Sequence, residues 1–432
     1  MRSLTILAAL AALTPGVFAQ PLPAKLNLSQ VLELVDRANP ELQAARLNAL
    51  ETGARAAAMR STMGPQLNAT AAQGYQTNNL AGVGLLFPGV PSRVGPYRVF
   101  DFRPHLSQTV LDLSLWANVR AAKLRIQADS ADADAAAEKL RLTVTELYIQ
   151  ALQADSRRRS AEARVTNAES LLRQSEDLYR AGTGNRLDVA RSQEQLQRER
   201  ISVVNAARDR DAALAVLAAT LGSESGTLPE LEPLKTTPSA EEYTLDAALE
   251  LRAEMHAEQL RGLGYEQERR AVASQRLPRV QAVGDFGVLG QDPSRNVSTY
   301  NIGVNVSVPV WTSGRISNEI QAASLRLKRQ QQELRQVRLT IARELQQARI
   351  ERDAARQASG LSEQAARAAQ EALDLAKMRF TAGLATQLDV VSAQANLAQA
   401  QEDEIRSRYD GLVAEARLAQ AGGDVRRFAQ GR

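Results

Sequence analysis

The chain contains no cysteine in 432 residues, which excludes disulfides, thiolate metal sites and a lipidated cysteine after a leader. Aromatic residues are only 4% of the chain, too few for a thick globular core, and favour extended helices instead. The two histidines, His105 and His256, fall in different halves, and neither has a second histidine or cysteine at metal-ligand spacing. A glycine-rich phosphate loop of the Walker type is also missing, so nothing points to nucleotide hydrolysis. No local motif singles out a nucleophile. The expectation is therefore a protein that is not an enzyme and carries no cofactor and no metal, with any energy supplied by a partner. Charge of one sign is lacking as well: 53 Lys and Arg stand against 49 Asp and Glu, interleaved as in Arg208-Asp209-Arg210-Asp211. That pattern marks a solvated or helix-pairing face and argues against nucleic acid; Arg157-Arg158-Arg159 is expected to pair with nearby acids. After Ala19 no stretch approaches the roughly 18–20 continuous apolar residues of a membrane-spanning helix. Entry into a membrane has to be made by strands.

What is present begins with a leader. Arg2, the apolar run Leu4 to Leu13, the break Thr14-Pro15-Gly16 and the ending Val17-Phe18-Ala19 make residues 1–19 a secretory signal peptide, cleaved after Ala19.

The rest is written twice. Tyr179-Arg180-Ala181-Gly182-Thr183-Gly184-Asn185-Arg186-Leu187-Asp188-Val189 is matched by Phe380-Thr381-Ala382-Gly383-Leu384-Ala385-Thr386-Gln387-Leu388-Asp389-Val390. Each copy lies between long Ala, Gln, Glu and Arg rich stretches of helical period and reads as the turn of a helical hairpin. Leu28 to Leu34 opens one half and Leu245 to Leu251 the other, with Ser29 or Asn27, and Asp246 or Thr244, as cap candidates. These opening helices end near Gly64-Pro65 and Leu277-Pro278, where the apolar period changes from about 3.6 to 2. The expected division is a first repeat over 20–221, a linker over 222–243, a second repeat over 244–421 and a tail over 422–432. Linker and tail are expected to pack around the middle of the helical part.

The clearest strand runs from Thr299 to Trp311, with Tyr300, Ile302, Val304, Val306, Val308 and Val310 on one face. That exceeds the roughly 9–11 residues of one bilayer crossing. Its partner spans about Arg279 to Leu289, and a weaker pair places Leu67, Ala69, Ala71 and Tyr75 against Phe100, Phe102, Leu106 and Val110. Pro104 and Pro309 fit edges, bulges or strand ends. An open sheet in lipid leaves edge groups unpaired at several kcal/mol each, and barrels need about eight strands or more. One chain with four strands cannot close; two chains give eight and three give twelve. Trp116, Trp311 and Tyr300 are expected as aromatics of the membrane interface, both tryptophans standing just before long helices. Two soluble hairpins packed on a core remain the alternative.

The helical segments from about Ala117 to Tyr179 and from about Arg315 to Phe380 would each reach on the order of 90 Å if continuous. Leu388, Val391, Ala395, Ala398, Ile405, Tyr409, Leu412, Ala416 and Ala419 mark a seam on the second return helix, with Glu402 its one polar interruption. Leu196, Val203, Ala207, Leu214, Leu217 and Leu221 mark another on the first. A leader, two repeats ordered helix, strand pair, long helix, tip and return helix, and a doubled Ala-Gly-x-x-x-x-Leu-Asp-Val tip resemble the TolC-like outer membrane efflux proteins. Val308-Pro309-Val310-Trp311-Thr312-Ser313-Gly314-Arg315 is similar to that family's strand-to-helix junction, and Asn39-Pro40-Glu41-Leu42 to its opening; the second half offers His256-Ala257-Glu258-Gln259 there.

The resemblance implies an α+β membrane protein: a homotrimer with a twelve-stranded transmembrane β-barrel, four strands per chain, and a long α-helical barrel in the periplasm. It implies an outer membrane exit duct of a tripartite efflux or type I secretion system, docked to a periplasmic adaptor and an inner membrane transporter. The alternative is an adaptor or coiled-coil scaffold without a pore. Gly182 and Gly383 suit chain reversal and close approach of another backbone, though a helix C-cap explains them equally. Leu187 and Leu388 either pack within the tips or meet the adaptor. Asp188 and Asp389 each follow a cap candidate, Asn185 or Thr386, by three residues. The resemblance assigns a periplasmic gate to Asp389 alone, where copies around an axis would raise one another's pKa, and Ser392 stands where a second acid is expected.

Overall fold

A computed structural model of the chain describes residues 25–84, 88, 89, 91–223, 226, 228–234 and 243–430. The leader expected at 1–19 and much of the 222–243 segment lie outside them. The chain divides into two compact units, one of residues 1–46, 132–255 and 336–432, the other of residues 47–131 and 256–335.

In the first unit, α1 (Leu28–Ala38) starts on a capping box: Asn27 Oδ1 accepts from the Gln30 N–H at 2.9 Å, and Gln30 Oε1 accepts from the Asn27 N–H at 3.1 Å. Asn27 is the cap rather than Ser29, because the reciprocal bond needs a glutamine three residues on. Leu28, Val31, Leu32 and Val35 form the buried stripe of α1. Pro40 ends it by disfavouring the helical region at Asn39, which takes ψ 123°. Asn39 Oδ1 then accepts from the Glu41 and Leu42 N–H groups and caps α2 (Pro40–Ser61), where Pro40 occupies the first-turn position that needs no N–H.

The second repeat makes the same break without proline. There α5 (Leu245–Leu251), capped by Thr244 and not Asp246, ends at Arg252, and α6 (Ala253–Ser274) follows. The counterpart of Asn39-Pro40-Glu41-Leu42 is therefore Arg252-Ala253-Glu254-Met255, four residues earlier than the sequence suggests. Arg252 is buried and held by Glu254 at 3.0 Å and Glu344 at 2.8 Å.

Around these starts packs the main core. Strands β1 (Lys25–Leu26) and β4 (Glu230–Leu231) pair in parallel over Tyr148 of the long helix α3 (Leu113–Arg180). Val144, Ile149 and Leu152 of α3, Leu217 of α4 (Arg186–Thr220) and Ala416 and Ala419 of α8 (Gln387–Ala421) complete it. The tail helix α9 (Val425–Ala429) adds Phe428, and Ser29 Oγ donates to the Ala429 carbonyl at 3.2 Å. Each buried valine, leucine or isoleucine among these contributes about 1.5–3 kcal/mol.

The arginine run is paired as expected: Arg157 to Glu402, Arg158 to Asp155 and Glu162, and Arg159 to Asp155. Glu402, the polar break in the seam, is thus a partner across the helices.

The second unit holds a four-stranded antiparallel sheet in the order β2 (Gln66–Asn79), β3 (Arg93–Leu111), β5 (Arg279–Asp292), β6 (Arg295–Ser307). β6 stops at Ser307, opposite Arg279 at the start of β5, so Val308, Val310 and Trp311 lie beyond the strand that the alternation suggests. Pro104 sits inside β3 and not at an end; the pairing with β5 skips from Phe102 to His105, which accommodates the missing N–H. The long helix α7 (Arg315–Thr381) follows β6. Leu67, Phe102, Leu106, Phe286, Tyr300 and Ile302 share one face, and Asn68, Arg103, Asp285 and Asn301 share the other. The apolar face is uncovered, with Ile302 80% exposed.

Candidate functional site

The two tips close α3 onto α4 and α7 onto α8. Gly182 (φ 74°) and Gly383 (φ 71°) take the left-handed conformation, and the amides just beyond them return to the last helical turn: Thr183 N–H to the Leu178 carbonyl and Leu384 N–H to the Arg379 carbonyl. Both glycines are thus helix C-caps. A Cβ at either would meet nothing within 4 Å, so their outer sides are also open to an approaching backbone. Leu187 and Leu388 are exposed and do not pack within the tips.

The tips differ in their acids. Thr386 and Asp389 form a full capping box: Asp389 Oδ2 accepts from the Thr386 N–H at 2.7 Å and from its hydroxyl at 2.8 Å. In the first tip Asn185 caps Leu187 N–H at 3.0 Å and Asp188 takes no part through its side chain. Within the chain these Thr386 bonds, with Arg379 nearby, hold the Asp389 carboxyl below its ordinary value of 3.8. This is opposite in direction to the rise expected from repulsion between copies.

Sequence reasoning missed the centre of the site. Gln387, two residues before Asp389, is buried and reaches across to the first hairpin, where Nε2 donates to the Asp188 carbonyl at 2.9 Å and to Ser175 Oγ at 3.2 Å. It also meets Ser192 Oγ, itself 2.9 Å from Ser175 Oγ. Beneath this polar knot Leu171, Leu373, Val390 and Leu397 form a small apolar core. The buried face of α8 near the tip is therefore Gln387, Val390 and Leu397, one residue back from the expected line of Leu388, Val391 and Ala398. The signal was available in the repeat itself. Gln387 replaces Arg186 of the first tip, while Ser175 and Ser192 replace Ala376 and Ala393 of the second.

In the sheet unit, Tyr300 lies on the apolar face and is exposed. Trp311 lies beyond β6 and is exposed, whereas Trp116 is inside the first turn of α3 and not before it. Among the described residues there is no group of acidic or histidine side chains fit to hold a metal.

The outer membrane efflux protein family matches residues 31–223 and 244–424. The chain is 24% identical to outer membrane protein TolC of Vibrio cholerae serotype O1 over 438 residues, covering 98% of this chain and 95% of that one. It is 26% identical over 400 residues to the pyoverdine export outer membrane protein OpmQ of Pseudomonas aeruginosa, with 88% and 83% covered. The crystal structure of the outer membrane protein VceC of Vibrio cholerae superposes with a TM-score of 0.79 at 17% identity, covering 92% of this chain and 96% of that one. A match over both halves sets aside an adaptor or scaffold without a pore. The chain belongs to the outer membrane efflux protein family: it is a TolC-type channel of the Gram-negative outer membrane with a periplasmic helical domain, and it has no enzymatic role.

Proposed function

We propose that three copies close one twelve-stranded barrel and serve as the passive exit duct of a tripartite efflux or type I secretion assembly, fed by an inner membrane transporter through a periplasmic adaptor. The observation that carries this is the open sheet. Its edges β2 and β6 are unpaired in one chain and its apolar face is uncovered, a combination that lipid tolerates only when neighbouring copies complete the ladder. Trp116, Trp311 and Tyr300 then anchor the barrel at the interface.

The tips support the same closure. Inside one chain Gln387 fills the groove of Ser175, Ser192 and the Asp188 carbonyl. The other hairpin offers Ala376, Ala393 and the Asp389 carbonyl at the matching places, and Arg186, exposed and without an ion pair among the described residues, is the matching side chain. A neighbouring copy supplies that groove for Arg186. The test is the detergent-corrected mass of protein from the outer membrane fraction, with oxidation of the double variant Arg186→Cys and Ala393→Cys. The chain has no other thiol, so covalent trimers support the reading, and a monomeric mass without cross-links overturns it.

Gly182, Leu187, Gly383 and Leu388 form the adaptor-facing surface of this reading. Replacing both Leu187 and Leu388 with aspartate is expected to leave the trimer intact and abolish export. Export at the normal level would remove the tips from docking.

Asp389 narrows the periplasmic end in this reading. Asp389→Asn is expected to lower cation preference in a planar bilayer, and an unchanged reversal potential would refute the gate role. The capping box adds a pH dependence. A folded-state pKa below the ordinary value stabilises the tip above about pH 3.8, and that stabilisation is lost as pH falls through the lower folded value. In the isolated chain the protection of the tip amides from hydrogen exchange is expected to fall below pH 3.8 and to lose that pH dependence in Asp389→Asn.

A further inference from the structure

The polar face of the sheet carries its charge at one level. Away from the strand ends, Asp101, Arg103 and Asp285 are the only charged side chains on that face of the described strands, with His105 beside them. Arg103 does not project from the face. Its Nη1 donates to Asp285 Oδ1 at 2.7 Å, its Nε to Asp101 Oδ1 at 3.3 Å, and its Nη2 to Thr299 Oγ1 at 3.3 Å on β6. To reach Thr299 from β3 the guanidinium crosses β5 beside Gly287, which pairs with Thr299. A Cβ at Gly287 would stand 2.4 Å from the Phe102 carbonyl and 3.0 Å from Arg103 Cβ, so only glycine leaves the passage open. On the other side, Thr70 of β2 donates its hydroxyl to the Arg103 carbonyl at 3.2 Å and lies 3.4 Å from His105 Nε2. All four strands therefore contribute to one level.

We infer that this level selects for cations inside the barrel. The inference rests on the closed-barrel reading above, in which polar faces line the lumen. Two carboxylates surround one guanidinium, which leaves one negative charge per chain. The exposure of the three shows what a passing solute meets: the side chain of Asp101 is 34% exposed, against 20% for Arg103 and 14% for Asp285. Asp285 serves to neutralise Arg103 and hold it flat, while Asp101 is the group presented to the lumen. Leu289 and Val297 lie beside Asp101, and toward the helix end the polar face is neutral as far as Arg279, which closes the strand and pairs with Asp112 at 3.7 Å. Three copies turn one charge into a ring, distinct from Asp389 and in the other unit of the chain. A ring of like charge on a low-dielectric wall concentrates cations and repels anions. The favoured solutes are cationic or carry a cationic group.

The experiment is the reversal potential of purified protein in planar bilayers under a potassium chloride gradient at fixed pH. Asp389→Asn is the background, which isolates the barrel's share. Asp101→Asn is expected to reduce the potassium-to-chloride permeability ratio by about threefold, and Arg103→Gln to raise it by a similar factor. Arg103→Lys keeps the charge while losing the fork, so it loosens the sheet and leaves the ratio near its starting value. A structural staple alone would alter the stability of these variants and not the ratio. Ratios equal across Asp101→Asn and Arg103→Gln overturn the inference while leaving the duct intact. Absence of trimers or of any conductance in the unsubstituted chain overturns the duct, and this inference with it.

Discussion

Replacing Tyr148 with alanine is expected to destabilise the helical unit by about 3–5 kcal/mol, among the largest effects of any single side chain. Tyr148 is 0% exposed and sits where β1, β4, α1 and α9 meet on α3. Its ring belongs to the same buried cluster as Leu26, Ile149 and Leu217. Its hydroxyl is shared by the Leu26 carbonyl at 2.9 Å and the Glu232 carbonyl at 2.6 Å, which ties the parallel strand pair to the helix. Alanine leaves a cavity and removes this donor. The guanidinium midpoint for loss of helical circular dichroism, measured on the extracted protein, reads the effect; a shift worth under about 1 kcal/mol would show that the site collapses around the missing ring. Phenylalanine isolates the hydroxyl. The Leu26 carbonyl keeps the Glu232 N–H at 2.9 Å, so the Glu232 carbonyl bears the loss, about 1–3 kcal/mol. Burial, and then the Glu232 charge, pushes the phenol above its ordinary value of 10.0. A raised folded-state value means that stability is complete below pH 10 and is lost as pH rises beyond it. Tyr148→Phe is expected to flatten that alkaline loss.

Periodicity showed the repeat, the four strands and the long helices because each rests on local pattern. What escaped it was decided by partners distant in the chain. The alternation of β6 continues through Val308 and Val310, yet the strand ends at Ser307 because β5 offers nothing past Arg279. The α5 to α6 break at Arg252 has no proline to announce it and depends on Glu344, far along the chain. Asn27 and Ser29 are both good caps, and only the position of Gln30 decides between them.

The tip was legible in its backbone and not in its side chains. Glycine at a hairpin turn is a local requirement, so Gly182 and Gly383 stand out in the sequence itself. A glutamine amid polar residues reads as surface, and nothing local shows that Gln387 is buried against two serines of the other repeat. Comparison of the halves would have marked it, since the substitution of Arg186 by Gln387 accompanies the exchange of two alanines for two serines. In a duplicated chain, departures from the repeat mark where one half binds the other.

Asp36→Ala is the second substitution of large effect, with an expected cost of about 3–5 kcal/mol, because it removes the centre of a buried ionic knot and leaves a cation behind. Asp36 takes Arg141 of α3 in a forked pair, with Nη2 at 2.9 Å and Nε at 3.1 Å, and Arg426 of α9 at 2.5 Å. Arg141 also pairs with Glu138, whose other oxygen accepts the Val425 N–H at 3.3 Å. Helix α1, helix α3 and the tail are thereby joined through one carboxylate. Without it the Arg141 side chain, 12% exposed, keeps only Glu138. The reverse cut distinguishes the buried pair from its rim. The Arg426 side chain is half exposed, so Arg426→Ala is expected to cost less than about 1 kcal/mol. Limited proteolysis separates the two outcomes: Asp36→Ala frees the tail for cleavage near Arg426 and Arg427 and lowers the denaturation midpoint, whereas Arg426→Ala loosens the tail with little change in midpoint. Equal midpoints for both variants would mean that Phe428 and the Ser29 bond, and not the ionic knot, hold the tail to the core.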